Sequence, residues 1–204
     1  MKARAILLVC VVAFTASSMA HADERIPRHW IARIGVHPIN PKPNSHAQFE
    51  VDNAAGASLG ATYLFTKHWA LELFSAFPNT HDLHDADGAR SARFSMMPTS
   101  ATLQYHITDA SGRFRTYAGA GVSYARMGSE QAKGPLSGHN LDLQDSTGIT
   151  FAIGVDMDLG TRWFVNLDAR WSDIDSSMKL DSASIGQLEI DPYMLGLSLG
   201  RRLR

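Results

Sequence analysis

The sequence predicts an all-β protein: an eight-stranded antiparallel up-and-down transmembrane β-barrel with short periplasmic turns and long extracellular loops. Three observations over the 204 residues support this prediction. Polar and apolar residues alternate in eight segments, the connections between segments are alternately long and short, and the apolar sides carry no charge near their middles. Transmembrane barrels combine these features, because their outer surface is apolar, their interior is polar and only their periplasmic turns are short.

The N-terminal segment, residues 1–22, is predicted to be a signal peptide, which leaves residues 23–204 for the barrel. Lys2 and Arg4 precede an apolar stretch, and a small-residue cleavage site ends at Ala22. The apolar stretch is shorter than the ~20 residues that a membrane-spanning helix needs. We therefore expect export and localisation in the outer membrane of a Gram-negative bacterium.

In the first four predicted strands, apolar residues recur at every second position, which places them on one side. These strands cover residues 30–36, 57–65, 69–77 and 97–105. Their apolar side comprises Trp30, Ala32, Ile34 and Val36, then Leu59, Ala61, Tyr63 and Phe65, then Trp69, Leu71, Leu73 and Phe77, and finally Met97, Thr99, Ala101, Leu103 and Tyr105. Each apolar side spans about the 9–11 residues that a tilted transmembrane strand needs.

The last four predicted strands follow the same pattern, and the fifth is rich in glycine. They cover residues 116–125, 149–158, 163–171 and 193–200. Their apolar side comprises Ala118, Ala120, Val122 and Tyr124, then Ile149, Phe151, Ile153, Val155 and Met157, then Trp163, Val165, Leu167, Ala169 and Trp171, and finally Tyr193, Leu195, Leu197 and Leu199. Segments 39–53, 81–90, 128–144 and 176–187 are predicted to be the long loops.

The opposite sides of these strands carry the charged and amide side chains and are predicted to line the lumen. They include Arg33, Glu72, Gln104, Asp156, Asp168 and Arg170. A charge facing lipid near the bilayer midplane costs about 2–4 kcal/mol, whereas the lumen tolerates charges that pair. The apolar sides therefore face outer-membrane lipid.

Aromatic residues on the outward side fall into two groups under this topology. The periplasmic group is Trp30, Tyr63, Phe65, Trp69, Tyr105 and Trp163, and the extracellular group is Phe77, Tyr124, Trp171 and Tyr193. Tyr and Trp prefer the two membrane–water interfaces, so these groups are predicted to be aromatic girdles.

Two acidic groups are weak candidates for a metal or catalytic site. His81, Asp82, His84, Asp85 and Asp87 lie close together, but a Ca²⁺-loop pattern fails because Leu83 would take the first ligand position. A solvated polar loop is the preferred interpretation. Asp173 and Asp175 share one side of a strand, which favours a structural role at the barrel rim. Since no nucleophile or zinc-protease motif is present, we predict no catalytic residue, metal or cofactor, and the net charge of -1 gives no indication of nucleic-acid binding.

Several motifs in chain order resemble the outer-membrane protein W (OmpW) family. The segment 114–124 (FRTYAGAGVSY) is similar to the family's fifth strand, and 171–175 (WSDID) and 190–193 (IDPY) are similar to its seventh and eighth. Segments 70–73 and 98–105 also fit. The resemblance covers the mature chain and implies an outer-membrane barrel with a narrow, partly apolar lumen, linked to passage of small hydrophobic molecules and their lateral release into the membrane.

The resemblance also implies two features from which this sequence departs. The family's lumen constriction aligns with Phe74, an apolar residue as expected, and with Arg170, where an aromatic residue is expected. Recognition by the barrel-assembly machinery uses a terminal aromatic residue, but Leu203 occupies that place here and Arg204 follows it.

Together with Phe74, the inward residues Glu72, Asp168 and Arg170 are predicted to form the lumen constriction. Buried charges must pair, because isolated burial is costly. The group could form a polar constriction that selects solutes, or a salt-bridge network that fills the interior of an eight-stranded barrel. Two functions follow: passive passage of small hydrophobic molecules, or a structural or receptor-like barrel with a plugged lumen that acts through its extracellular loops.

Overall fold

The computed structural model describes residues 29–42, 49–85, 88–134 and 137–203. The predicted signal peptide, Asp87 and Arg204 lie outside these ranges. The described strands are β1 His29–Asn40, β2 Phe49–Val51, β3 Ala54–Leu64, β4 Trp69–Ala76, β5 Asn79–Asp85, β6 Arg90–Thr108, β7 Phe114–Ala132, β8 Leu141–Leu143, β9 Ser146–Asp158, β10 Trp163–Ser172, β11 Asp175–Leu180, β12 Ala183–Glu189 and β13 Tyr193–Leu203. Among the described residues, no helix has the length and hydropathy to cross a membrane.

Eight strands form a closed antiparallel barrel, as predicted. In order they are β1, β3, β4, β6, β7, β9, β10 and β13, and each pairs with the next along the chain. The barrel closes where β13 pairs with β1, with Leu203 opposite Trp30. The short connections 65–68, 109–113 and 159–162 share one end, which corresponds to the periplasmic end of transmembrane barrels.

The four segments predicted as long extracellular loops contain additional β-strands. β6 and β7 each have nineteen residues and continue past the length that a membrane crossing requires. β5 pairs with the first part of β6, and β2 pairs with β5. β11 and β12 form a hairpin that β8 extends to three strands. Polar side chains occupy many inward positions in these strands, so the period of two is weak in the sequence.

The wall has the predicted polarity. Leu71, Leu167 and Leu197 are 46%, 58% and 57% exposed on the outer surface, whereas Glu72 and Asp156 have no exposed area. Barrel strands alternate outward and inward residues, so one register shift would reverse every position. The apolar surface therefore faces outward and the charges lie inside.

The outward aromatic residues lie near the two ends of this apolar wall. At the end with the short turns, Trp30 packs against Tyr63 with ring centroids 4.9 Å apart, and Trp69 packs edge-on against Tyr105 at 5.1 Å. Towards the other end, Tyr193 is exposed. The remaining members of both predicted girdles, all half-buried or exposed, are Phe65, Phe77, Tyr124, Trp163 and Trp171.

The barrel interior has three parts of different chemistry. The extracellular half contains one cluster of buried hydrophobic residues, here called the apolar cluster: Ile39, Phe74, Ala76, Leu83, Ala92, Phe94, Met96, Ala125, Met127, Leu141, Leu143, Ile174, Met178, Leu188, Ile190 and Met194. The middle of the barrel contains buried charges, and a smaller apolar group of Ile31, Leu64, Ala70 and Phe164 lies towards the short turns. The site of interest is where the first two parts meet.

Candidate functional site: the barrel lumen

The structure brings together all four residues of the predicted constriction. Arg170 on β10 donates from Nη1 to Glu72 Oε2 on β4 at 2.8 Å, across the lumen. Its Nε donates to Asp168 Oδ2 on its own strand at 2.7 Å. The Arg170 guanidinium lies 4.0 Å from the centroid of the Phe74 ring. Arg170 thus pairs with both carboxylates and covers Phe74, the apolar residue that the family resemblance placed beside it.

Arg33 and Asp156 extend these ion pairs around the lumen. Arg33 on β1 lies 3.3 Å from Glu72 and 3.1 Å from Asp156 on β9, and it donates to Thr62 Oγ1 at 2.6 Å. The Asn166 amide donates to Asp156 Oδ1 at 2.8 Å. Sequence analysis placed Arg33 and Asp156 in the lumen but did not connect them to the constriction, because the pairing depends on strands distant in sequence.

His37 is a member of this site that sequence analysis missed. Its Nε2 donates to Asp168 at 3.1 Å, since a carboxylate only accepts, and its Nδ1 lies 2.7 Å from Ser58 Oγ. The predicted first strand ended at residue 36, although the inward period of two continues from Arg33 to His37. Gly196 on β13 was a further signal, because a side chain there would overlap the imidazole.

Ser58, His37 and Asp168 form a serine–histidine–aspartate chain of contacts. In the hydrolase triad the serine bonds to Nε2 and the aspartate to Nδ1, which is the reverse of the order here. The adjoining cavity has a volume of about 10 Å³, and its lining includes these three residues. Since that volume holds about one water molecule, no substrate carbonyl fits beside the hydroxyl. The chain of contacts instead holds His37 by both nitrogens.

These residues define the charged network: Arg33, His37, Glu72, Asp156, Asp168 and Arg170. Three carboxylates face two guanidinium groups, and each carboxylate lies within 3.3 Å of a guanidinium nitrogen. The His37 imidazole lies 3.1 Å from Asp168. Each of these residues is at least 95% buried. Such a cluster is stable only when every charge is paired, so the network behaves as one unit that closes the lumen at this level.

Phe74 forms the boundary between the charged network and the apolar cluster. Its ring contacts Arg170 on one side and lies 4.8 Å, edge-on, from the His37 ring. It also belongs to the apolar cluster. A molecule that enters from the extracellular side therefore meets apolar side chains first and a closed layer of charge at Phe74.

A recess of about 310 Å³ lies in the barrel wall at the level of the apolar cluster. It is lined by Pro78, Ser95, Met97, Arg126, Met127, Gly128 and Ser129. The β6–β7 ladder is irregular here: Arg93 pairs with Gln131, but Ser95 pairs with Gly128. This bulge locally disrupts hydrogen bonding between the two strands, as bulges at barrel rims do.

The acidic and histidine cluster of residues 81–85 is not the solvated loop that was predicted. It lies on β5, where His81 is 1% exposed and its Nδ1 donates to the Asp52 carbonyl at 2.7 Å. Asp82 instead faces the arginines of β6. Hydrogen bonds from Arg93 lower the pKa of Asp82 to about 2. Residues 81–85 form a strand and not a loop because β5 pairs with β6.

The acidic pair Asp173 and Asp175 lies beside a third carboxylate, Asp191, above the barrel rim. Their oxygens are within 4.8 Å of one another. Partial burial, and then the two neighbouring carboxylates, raise the pKa of Asp175. The ammonium group of Lys42 lies 3.6 Å from Asp191 and 3.1 Å from Glu189, which supplies a compensating charge. This arrangement ties the β1 end to the β12–β13 connection, consistent with a structural role at the rim.

Comparisons with known proteins agree with this architecture. The family model described as "OmpW family" matches residues 33–203. Outer membrane protein W of Escherichia coli K12 is 29% identical over 160 residues, covering 76% of each chain. The Dibenzothiophene metabolism operon protein PahQ of Pseudomonas aeruginosa is 24% identical over 212 residues, covering 95% of this chain and 97% of PahQ.

Among solved structures, the outer membrane protein OprG from Pseudomonas aeruginosa has the same fold. Its crystal structure superposes with a TM-score of 0.76 at 23% identity, covering 87% of this chain and 96% of OprG. The fold, the inward charges and the family match over 33–203 are therefore consistent with one another. This chain belongs to the OmpW family of outer-membrane β-barrels.

Proposed function

We propose that this barrel passes small hydrophobic molecules from the cell exterior into the outer membrane. The proposal is supported by the change of lumen chemistry at Phe74, with the apolar cluster on the extracellular side and the charged network below it. PahQ is named for a dibenzothiophene metabolism operon, and dibenzothiophene is a small apolar aromatic molecule. The apolar cluster offers such a solute the environment that it prefers over water.

The route that we propose is lateral, because the charged network leaves a cavity of only about 10 Å³ along the axis. One observation carries this step: Met127 belongs to the apolar cluster and also lines the 310 Å³ recess in the wall. A volume of that size is at the lower end of small-molecule pockets, which hold about 300–1,000 Å³. Methionine side chains are flexible, so movement of Met127 would connect the cluster with the recess.

The test is uptake of naphthalene into lipid vesicles that contain the purified barrel, compared with empty vesicles. Gly128→Phe fills the recess, and a Cβ at this position would meet only the Ser95 hydroxyl, at 3.7 Å. We expect uptake to fall in this variant. Ala118→Phe, on the outer surface of the same strand but away from the recess, is the control and should leave uptake unchanged. Equal uptake by Gly128→Phe and the wild type would reject the lateral route.

The second candidate function is a structural or receptor-like barrel that acts through its extracellular part. The observation in its favour is the closed charged network, together with the β8–β11–β12 sheet beyond the membrane. This function predicts that vesicles with the barrel take up naphthalene no faster than empty vesicles. It also predicts no steady ion conductance in planar bilayers.

We also propose how the protein reaches its site. It is exported by a cleaved signal peptide, folded by the barrel-assembly machinery and surrounded by outer-membrane lipid. The mature chain is expected to begin at Asp23, after the A-x-A site. Mass spectrometry of the barrel purified from outer membranes measures this directly. A mass that includes residues 1–22 would contradict cleavage.

A further inference from the structure

Two buried polar groups on β5 have no hydrogen-bond partner in the part of the chain that the structure describes. They are Asn79 Nδ2 and His81 Nε2, and the two residues are 6% and 1% exposed. Buried polar atoms in folded proteins are nearly always paired, with protein, water or a ligand. Two unpaired atoms that lie two residues apart on one strand can therefore bind one group from outside the chain.

Both side chains lie within the apolar cluster. Asn79 is the register partner of Met96 and His81 that of Phe94, and both partners are fully buried members of that cluster. The His81 ring stacks on the Phe94 ring with centroids 5.5 Å apart. Residues two apart on a strand project from the same face, so the two polar groups are neighbours in an apolar surrounding.

The barrel leaves space for the Asn79 side chain opposite β5. Gly56 on β3 faces inward, and a Cβ there would overlap the Asn79 amide group. Asn79 therefore lies across the inner surface of β3 and not at the lipid-facing wall. The absence of a side chain at Gly56 allows a polar group to reach this part of the lumen.

The two atoms have complementary hydrogen-bonding roles. His81 Nδ1 donates to the Asp52 carbonyl at 2.7 Å, so in the neutral ring Nε2 carries the lone pair and accepts. Burial lowers the pKa of His81, which keeps the ring neutral. The Asn79 amide nitrogen only donates. A group that both donates and accepts would satisfy this pair.

We propose that Asn79 and His81 bind the hydroxyl group of a small, otherwise apolar molecule such as a phenol or an alcohol. The hydroxyl donates to His81 Nε2 and accepts from Asn79 Nδ2, while the apolar part packs against Phe94 and Met96. Both side chains project from the same face of β5 towards the apolar cluster, so their unpaired nitrogens offer one donor and one acceptor to a hydroxyl group that enters it. This inference rests on the proposed function for the entry of the solute and narrows its solute class.

The first test measures binding alone. The barrel is labelled with ¹⁵N-histidine and placed in lipid nanodiscs, and 2-naphthol or naphthalene is added. The two probes have similar ring systems and differ by the hydroxyl group. We expect 2-naphthol, but not naphthalene, to shift the Nε2 resonance that disappears in His81→Phe.

The second test measures selectivity of uptake into vesicles that contain the barrel. His81→Phe keeps an aromatic ring against Phe94, and Asn79→Leu keeps the side-chain size. Each variant should lower the ratio of 2-naphthol to naphthalene uptake by about three- to tenfold, the effect of one hydrogen bond. Thr80→Val, on the outward side of β5, is the matched control and should leave the ratio unchanged.

The two measurements separate this inference from the proposed function. If both probes enter the vesicles but neither shifts the His81 signal and the ratio is constant in all variants, the hydroxyl site is wrong and passage stands. If 2-naphthol shifts the signal but neither probe enters, the site stands and passage is wrong. If neither effect occurs, both are rejected.

Discussion

The two parts of the lumen that meet at Phe74 use the same barrel wall in different ways. In the apolar cluster, sixteen buried residues from strands and connections pack without specific partners, and four of them are methionines. In the charged network, each ionic side chain has a defined partner from another strand or its own. Hydrophobic packing is non-directional and tolerates rearrangement, whereas a buried ion network is stable only in one complete arrangement.

This difference suggests a division of roles within one small barrel. In the proposed function, the apolar part changes shape to admit a solute, because side-chain rearrangement there costs little hydrogen bonding. The network cannot open without leaving charges unpaired, so it keeps the axis closed. Three substitutions or conditions test the contrast, from the largest expected effect to the smallest.

Removing the central charge should destabilise the barrel most. Arg170→Trp supplies the aromatic residue that the family resemblance implies but leaves Glu72 and Asp168 without their shared cation. The expected loss is about 3–5 kcal/mol, the usual cost of breaking a buried ion pair by removing one partner. Urea unfolding of the barrel in lipid vesicles measures it.

The control for that change is Arg201→Trp, because Arg201 is exposed on the outer surface near Trp163. Its effect should be small. If the two tryptophan variants have the same unfolding midpoint, the charged network contributes no special stability and the contrast between the two parts of the lumen fails.

A charge on the outer side of the same strand should cost somewhat less. Leu167 is 58% exposed and lies in the lipid-facing wall, one residue from the buried Asp168. Leu167→Arg is expected to lose about 2–4 kcal/mol, because an arginine near the midplane of the bilayer has no partner there. Unfolding in the same vesicles gives the value.

Thr161→Arg, in a short connection at the barrel end, places the same charge in water and is the comparison for Leu167→Arg. Its free energy of unfolding should match the wild type. A cost as large as that of Leu167→Arg would mean that the lipid-facing position is not the cause.

The smallest effect is expected from pH in the extracellular part. Burial lowers the pKa of His81 below its ordinary value, so the locally open state binds a proton that the folded state does not. By linkage, the stability of β5 should fall as the pH decreases through about 6.5, the ordinary histidine pKa, and should be constant above it. Hydrogen exchange of the β5 amides, corrected for the intrinsic rate, measures local opening. His81→Phe should remove this pH dependence. If the variant keeps the same pH dependence as the wild type, a group other than His81 is responsible for it.

The sequence alone determined the wall of this barrel. Alternation with period two is required wherever lipid lies on one side and the lumen on the other, so residues such as Leu71 and Leu167 could be assigned to the outer surface without knowing any contact. The same physics placed Glu72, Asp168 and Arg170 inside and required them to pair. The motifs shared with the OmpW family pointed to the same wall.

The tertiary structure decided what fills the lumen and how far the strands extend. Partners in the network, such as Arg33 and Asp156, are 123 positions apart in the chain, and only closure of the barrel brings them within 3.1 Å. His37 fits into the charged network because Gly196, on a different strand, has no side chain to occupy the same space. β5 became a strand, despite its polar sequence, because the long β6 offers it backbone hydrogen bonds beyond the membrane. Alternation is a local consequence of the environment on the two sides of a strand. The contacts inside the lumen depend instead on which strands become neighbours, and the sequence of a single strand does not contain that information.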